Sequence, residues 1–109
     1  MRTRLLAALA CLAFTACEKS DVKVLIGATT ITAPGASAIE DSVIVVAGGR
    51  IRSMGPRKDI PIPQNSERVD LTGKQIAAAD GSRLAPNESA DLVVTGPGFT
   101  RRMLHGQWQ

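Results

Sequence analysis

The chain has 109 residues, of which 44% are hydrophobic, 21% charged and 3% aromatic, enough for one small domain and too few for a large catalytic barrel. Its 13 Lys and Arg against 10 Asp and Glu give a net charge of +3, a balance that points first to an acidic partner such as nucleic acid or a membrane surface. Two cysteines and one histidine cannot build a four-cysteine or two-cysteine, two-histidine zinc site, nor a centre needing several imidazoles, so neither a metal nor another cofactor is expected in this chain.

Residues 1–16 read as an export signal rather than as part of a fold. Arg2 and Arg4 form a positive n-region, and Leu5 to Phe14 an apolar stretch well short of the roughly 20 residues a membrane-spanning helix needs. The stretch closes in Phe14-Thr15-Ala16-Cys17. This resembles the lipobox of bacterial lipoproteins, in which small residues before a cysteine admit the signal peptidase and the cysteine thiol carries the lipid. Phe14 stands where Leu is usual. Cys11 also follows a small residue, but cleavage there would leave too short an apolar run upstream, so Cys17 is the expected lipid acceptor. The alternatives are a secretory signal cut near Ala16 or an uncleaved helical anchor. In lipoproteins an Asp after the cysteine marks inner-membrane retention; Glu18 here implies the outer membrane, facing the periplasm.

Removing residues 1–16 takes away two arginines and no carboxylate, so positions 17–109 carry 11 basic and 10 acidic side chains, a net of +1. The basic character belongs mainly to the signal. With Cys11 discarded and Cys17 lipidated, the mature domain contains no disulfide and rests on packing alone.

After a short linker at 17–20, residues 21–109 carry all 10 Gly and 6 Pro, spaced so that no helix-length segment of 3.6-residue periodicity survives. The pattern is all-β. Asp21 to Ile26 alternates, with Val22, Val24 and Ile26 on one face and Lys23 and Leu25 on the other, as a half-buried strand does. Ser42 to Val46 is a β-branched run, followed by Ala47-Gly48-Gly49-Arg50 and then Ile51 to Met54, and adjacent glycines supply the positive φ of a tight hairpin. Pro56, Pro61 and Pro63 predict an extended connection through Ile60 and Ile62. Glu67 to Leu71 reads as a short strand closed by Thr72-Gly73-Lys74. After Ile76, Ala77 to Ser82 reads as a small-residue link ending in an Asp80-Gly81 turn. Asp91 to Thr95 is a strand, Gly96-Pro97-Gly98 a turn, and Arg101 to Leu104 with Gln107 to Gln109 a last hairpin about His105-Gly106. About seven short strands predict a small β-sandwich or barrel.

Three segments in order, Asp21-Val22-Lys23-Val24-Leu25-Ile26-Gly27-Ala28-Thr29, Ile39-Glu40-Asp41 running on to Gly48-Gly49-Arg50-Ile51, and Val69-Asp70-Leu71-Thr72-Gly73-Lys74, resemble the amino-terminal strands of the metal-dependent amidohydrolase superfamily. Leu84 to Val94 and Arg102-Met103-Leu104-His105-Gly106-Gln107-Trp108 resemble its carboxyl-terminal strands, with Asn87 where Gly is usual, a change a left-handed Asn accommodates. In full-length members these blocks flank a TIM-like barrel and fold together as a composite β-sandwich. The resemblance therefore implies a sandwich made of residues 21–76 and 84–109, joined directly at Ala77 to Arg83 where the barrel would stand. The family's His-x-His pair and further ligands, which hold zinc or a similar metal, have no counterparts here. His105 occupies a position at which the family has a turn and no ligand.

No other catalytic constellation is complete. A Ser-His-Asp arrangement would have to recruit His105, and no Gly-x-Ser-x-Gly elbow is present. Asp80 reads as a turn former and Asp91 as a structural residue at the start of a strand, rather than as a catalytic carboxylate pair. Gly48-Gly49 lacks phosphate-loop spacing. Arg101-Arg102 without a stacking platform does not make a nucleic-acid site. Phe99 and Trp108, the aromatic residues besides Phe14, either complete the core or contact a protein partner or second copy. The expected function is that of a membrane-anchored lipoprotein, non-catalytic by itself, with a structural or binding role. The alternative is the non-catalytic part of a split hydrolase acting on carbon–nitrogen non-peptide bonds, its metal-bearing barrel supplied by another chain.

Overall fold

A computed structural model describes residues 22–79 and 83–109. The expected signal, Cys17, the linker and the Asp80-Gly81-Ser82 turn lie outside the described residues. The described chain forms a β-sandwich of ten strands: β1 (Val22–Ile26), β2 (Thr29–Ile31), β3 (Ala38–Ile39), β4 (Ser42–Ala47), β5 (Arg50–Pro56), β6 (Glu67–Asp70), β7 (Gln75–Ala78), β8 (Leu92–Gly96), β9 (Phe99–Leu104) and β10 (Gln107–Trp108), with one 3-10 turn at Arg57–Asp59. One sheet has the order β5-β4-β1-β6 and the other β10-β9-β8-β7-β2-β3.

Local chemistry sets the antiparallel ribbons. Gly48 and Gly49 adopt φ of 62° and 80°, and Ala47 faces Arg50 across them, so the two-residue turn carries the twist that joins β4 to β5. A register shift between Val45 and Val46 bends this ribbon as bulges do. Pro97-Gly98 connects β8 to β9, and His105-Gly106 connects β9 to β10.

The long-range pairing is parallel. β1 lies parallel to β6, and β2 parallel to β7. Each pair is one continuous run that crosses from the first sheet to the second. At the crossing the Leu71 amide donates to the Ile26 carbonyl at 2.7 Å and the Thr29 amide to the Lys74 carbonyl at 2.9 Å. Gly27, at φ 92°, allows the bend, and a Cβ there would lie 2.5 Å from the Thr72 hydroxyl, so the corner requires glycine.

Between the sheets lie Leu25, Ile44, Val46, Ile51, Leu71, Ile76, Leu84, Leu92, Val94 and Met103, all buried. A second cluster, Val24, Val43 and Val45, sits on the opposite face of β1 and β4 beneath Ile60 and Ile62. The central residues of β1 are therefore buried on both faces, unlike the half-exposed strand its alternation predicts. The proline-bearing connection supplies the cover and includes the 3-10 turn as well as extended chain. Two further corrections follow from pairing. Ala77 and Ala78 extend β7 instead of forming a link, because Ala77 pairs with Ile31 on one side and Val93 on the other. Strands β2 and β3, only three and two residues long, together with β7 raise the number of strands from about seven to ten.

Candidate functional site

Three turns meet at one end of the sandwich. The β4–β5 turn, the segment Asn87 to Asp91 and the β9–β10 turn are tied by main-chain bonds: the Ala90 amide donates to the Gly49 carbonyl at 2.9 Å, the Gly106 amide to the Ala90 carbonyl at 3.1 Å and the Ile51 amide to the Glu88 carbonyl at 2.9 Å. Arg50 Nη1 donates to the Asn87 carbonyl at 2.9 Å, and Asn87 holds the left-handed conformation at φ 76° that its replacement of glycine predicts.

This junction gathers Ser89, Asp91 and His105. Asp91 Oδ1 accepts the His105 amide at 2.7 Å and the Ser89 hydroxyl at 3.1 Å, while Ser89 Oγ lies 3.3 Å from His105 Nδ1. Serine has one hydroxyl proton. Because it goes to Asp91, the contact with His105 requires the imidazole to donate from Nδ1, a tautomer assigned from the hydrogen-bond network. The histidine is then no base for that serine, and the carboxylate orients the backbone rather than the ring. The neighbouring Ala90 and Gly106 amides are already donated to carbonyls and are not free to face a developing oxyanion. The arrangement has the residue types of a hydrolytic triad with the wiring of a structural clamp.

Sequence reasoning weighed Asp91 and His105 separately but missed this grouping and did not single out Ser89. The signal lies in hairpin arithmetic: Gly96 pairs with Phe99 across the Pro97-Gly98 turn and Leu92 with Met103, so counting outward brings residues 89–91 alongside 104–106. Asp91 is structural, as its position before a strand implies. His105 is exposed but not a bare turn residue, since its ring lies against Gly49.

Phe99 and Trp108 are half-buried and pack against the inter-sheet core. A cation covers each ring: Lys74 Nζ lies 5.0 Å from the Phe99 centroid and the Arg101 guanidinium carbon 4.3 Å from that of Trp108, distances of cation–π attraction. Near the other end of β9, an open cleft of about 430 Å³ is lined by Thr29, Gly73, Lys74, Gln75, Thr95, Gly96 and Pro97. No group of three or more His, Cys, Asp or Glu side chains converges among the described residues, and no described helix is long and apolar enough to cross a membrane.

Two titrating groups are displaced. Asp70 is held below the usual carboxylate range by the Thr72 hydroxyl first and the Thr72 amide second, bonds of 2.6 and 3.0 Å. Arg57 is raised by its side-chain hydrogen bonds to Asp41 and then by that residue's charge. Both pairs pin loops at the surface.

No protein-family model matches the chain, and no curated protein matches it. Among solved structures it is similar over about half its length to a protein assigned as a prolidase from Bifidobacterium longum, at 28% identity and TM-score 0.49 over 53% of this chain and 15% of that one. It is likewise similar to a molinate hydrolase at 23% identity and TM-score 0.49, over 56% and 13% of the two chains, and to guanine deaminase from E. coli at 21% identity and TM-score 0.47, over 53% and 16%. The chain thus spans less than one fifth of the length of each of these proteins.

Proposed function

We propose that this protein is a membrane-anchored lipoprotein whose amidohydrolase-like β-sandwich is non-catalytic by itself and serves a structural or binding role. The observation that carries the reading is how the two sequence blocks join. Ala78 pairs with Leu92 and the Ala79 amide donates to the Asp91 carbonyl at 3.0 Å, so the chain leaves β7 and returns into β8 at adjacent points. A domain inserted in one sandwich must enter and leave at neighbouring points, and here two such points are bridged by the thirteen residues 79–91. The wiring of Ser89, Asp91 and His105 supports the non-catalytic part, because it supplies neither an activated nucleophile nor a free oxyanion donor. The anchor rests on Phe14-Thr15-Ala16-Cys17, and the choice of the outer membrane, facing the periplasm, on Glu18 after the cysteine.

The test is purification of the full-length protein from a bacterial envelope in mild detergent, with mass spectrometry of its amino-terminal peptide and an assay against amide and lactam substrates with added zinc. An acylated Cys17 with no turnover is expected. Turnover by the purified chain would overturn the non-catalytic reading, and a Cys17→Ser variant that still incorporates palmitate would overturn the anchor. Recovery of a barrel protein in stoichiometric amount would replace the lone sandwich with the split hydrolase.

A further inference from the structure

The tether between Cys17 and the first strand is short. Cys17 lies five residues before Val22, and five extended residues span at most about 17 Å, less than the roughly 20 Å length of a six-residue strand. If Cys17 carries the lipid, as proposed above, the part of the sandwich within reach of the bilayer is the part around Val22. The pairing identifies that part. Val22 stands opposite Ala47, the last residue before the Gly48-Gly49 turn, and on that turn sits the β9–β10 turn, through the His105 ring and Gly106.

The side chains at this end suit a lipid surface. Among the described residues Leu104, 38% exposed, is the large apolar side chain left open to solvent, and it immediately precedes the turn. Trp108, the chain's single tryptophan, pairs opposite Met103 on the returning strand with Arg101 laid over its ring. Arg50 and Arg102 are exposed there, while Arg101, opposite Val94 in the middle of β9, reaches this end only through the Trp108 ring. Of the carboxylates near this end, Asp91 is bonded to Ser89 and the His105 amide and Glu88 lies 3.8 Å from Arg83, while the exposed Glu67 stands opposite Lys23 on the strand beside β1. An apolar side chain, an amphipathic indole and arginines with apolar stems form the set that partitions to a headgroup interface.

We propose that this end of the sandwich lies against the phospholipid surface, with Leu104 and Trp108 at the headgroup level and Arg50 and Arg102 facing lipid phosphates. The molecule then stands with the Pro97-Gly98 turn and its neighbouring cleft turned away from the bilayer.

The single tryptophan reports directly. Full-length lipidated protein is reconstituted into vesicles of phosphatidylethanolamine and phosphatidylglycerol, some carrying lipids brominated near the headgroup, and its emission is measured. Quenching of Trp108 by about twofold is expected, as for an indole at the interface. Moving the fluorophore to the far turn with Trp108→Phe and Pro97→Trp should abolish it. Arg102→Gln with Leu104→Gln, which keeps Trp108 and touches no core residue, should reduce it. The amino-terminal peptide of the same sample is checked for acylation. Acylated protein with unquenched Trp108, or with equal quenching at both turns, overturns the orientation alone; an unmodified Cys17 overturns the anchor and the orientation together.

Discussion

The glycine at position 49 tests how the three turns are locked. At φ 80° an alanine there incurs the left-handed penalty of roughly 1–2 kcal/mol, offset by about 0.4–1 kcal/mol from reduced freedom of the unfolded chain. The added Cβ would also lie 2.7 Å from His105 Nε2 and 2.8 Å from Cδ2, so the imidazole must swing away and give up its contact with Ser89. A hydrogen bond of that kind contributes about 0.5–1.5 kcal/mol. Gly49→Ala should therefore destabilise the protein by about 2 kcal/mol, and by only about 1 kcal/mol in a His105→Ala background, where the ring is gone. Gly106→Ala offers the contrast: its Cβ would meet the Gly49 Cα at 2.9 Å and the Gly49 nitrogen at 3.3 Å, backbone that His105→Ala does not remove. Urea unfolding followed by circular dichroism measures all of these, with 1 kcal/mol corresponding to a melting shift of about 4–8 °C in a domain this small. Equal cost of Gly49→Ala in both backgrounds, or rescue of Gly106→Ala by His105→Ala, would refute the packing of the imidazole on the first turn.

At the buried hydroxyl pair, Ser42 Oγ donates to the Ala28 carbonyl at 2.7 Å and is left to accept from Thr30 Oγ1 at 2.8 Å. Ser42→Ala strands the Thr30 hydroxyl, which is fully buried, at about 1–3 kcal/mol, whereas adding Thr30→Val should recover part of that loss in the same denaturation assay. The Asp70 carboxyl titrates below its unfolded value, so its contribution to stability is complete above about pH 4 and disappears as pH falls through the lower folded value. Thr72→Val removes the hydroxyl bond and should raise the Asp70 midpoint seen by NMR titration, and an unchanged midpoint would exclude the hydroxyl as the main cause.

The parts of the fold legible in the sequence are those encoded within a few residues. Gly48-Gly49 between β-branched runs announces its hairpin because the turn needs positive φ at both positions, and His105-Gly106 does the same at φ 49° and 79°; Pro97-Gly98 is legible for a different reason, the proline fixing a negative φ and the glycine after it taking the positive one, at 67°. What stays hidden depends on pairing between distant segments. Thr29-Thr30-Ile31 has no period of its own and becomes a strand only because Thr30 pairs with both Ile39 and Ile76. The two-sided burial of β1 depends on Ile60 and Ile62, more than thirty residues downstream. The Ser89, Asp91 and His105 grouping needs a strand register, which composition and motif do not carry, yet the register follows once the Pro97-Gly98 turn is fixed.

The segment from Arg83 to Asp91 shows why the two blocks form one folding unit. Leu84, 3% exposed, sits in the inter-sheet core, and its amide donates to the Thr32 carbonyl at 2.8 Å. The Asn87 amide donates to the Ile51 carbonyl at 2.7 Å, and Ser89 bridges to Arg50, so the same short excursion bonds to the edge strand β5 of one sheet and to the chain just beyond β2 of the other. A passive linker would tolerate truncation at Leu84, whereas a segment that fills the core would not. Leu84→Ala should cost about 2–4 kcal/mol, within the range of buried leucine truncations, and should lower both urea resistance and melting temperature. Conservative Leu84→Met should cost less than about 1.5 kcal/mol. A loss below about 0.5 kcal/mol for the alanine variant would mean that the sandwich is closed by its strands alone, with residues 83–91 merely laid across its surface.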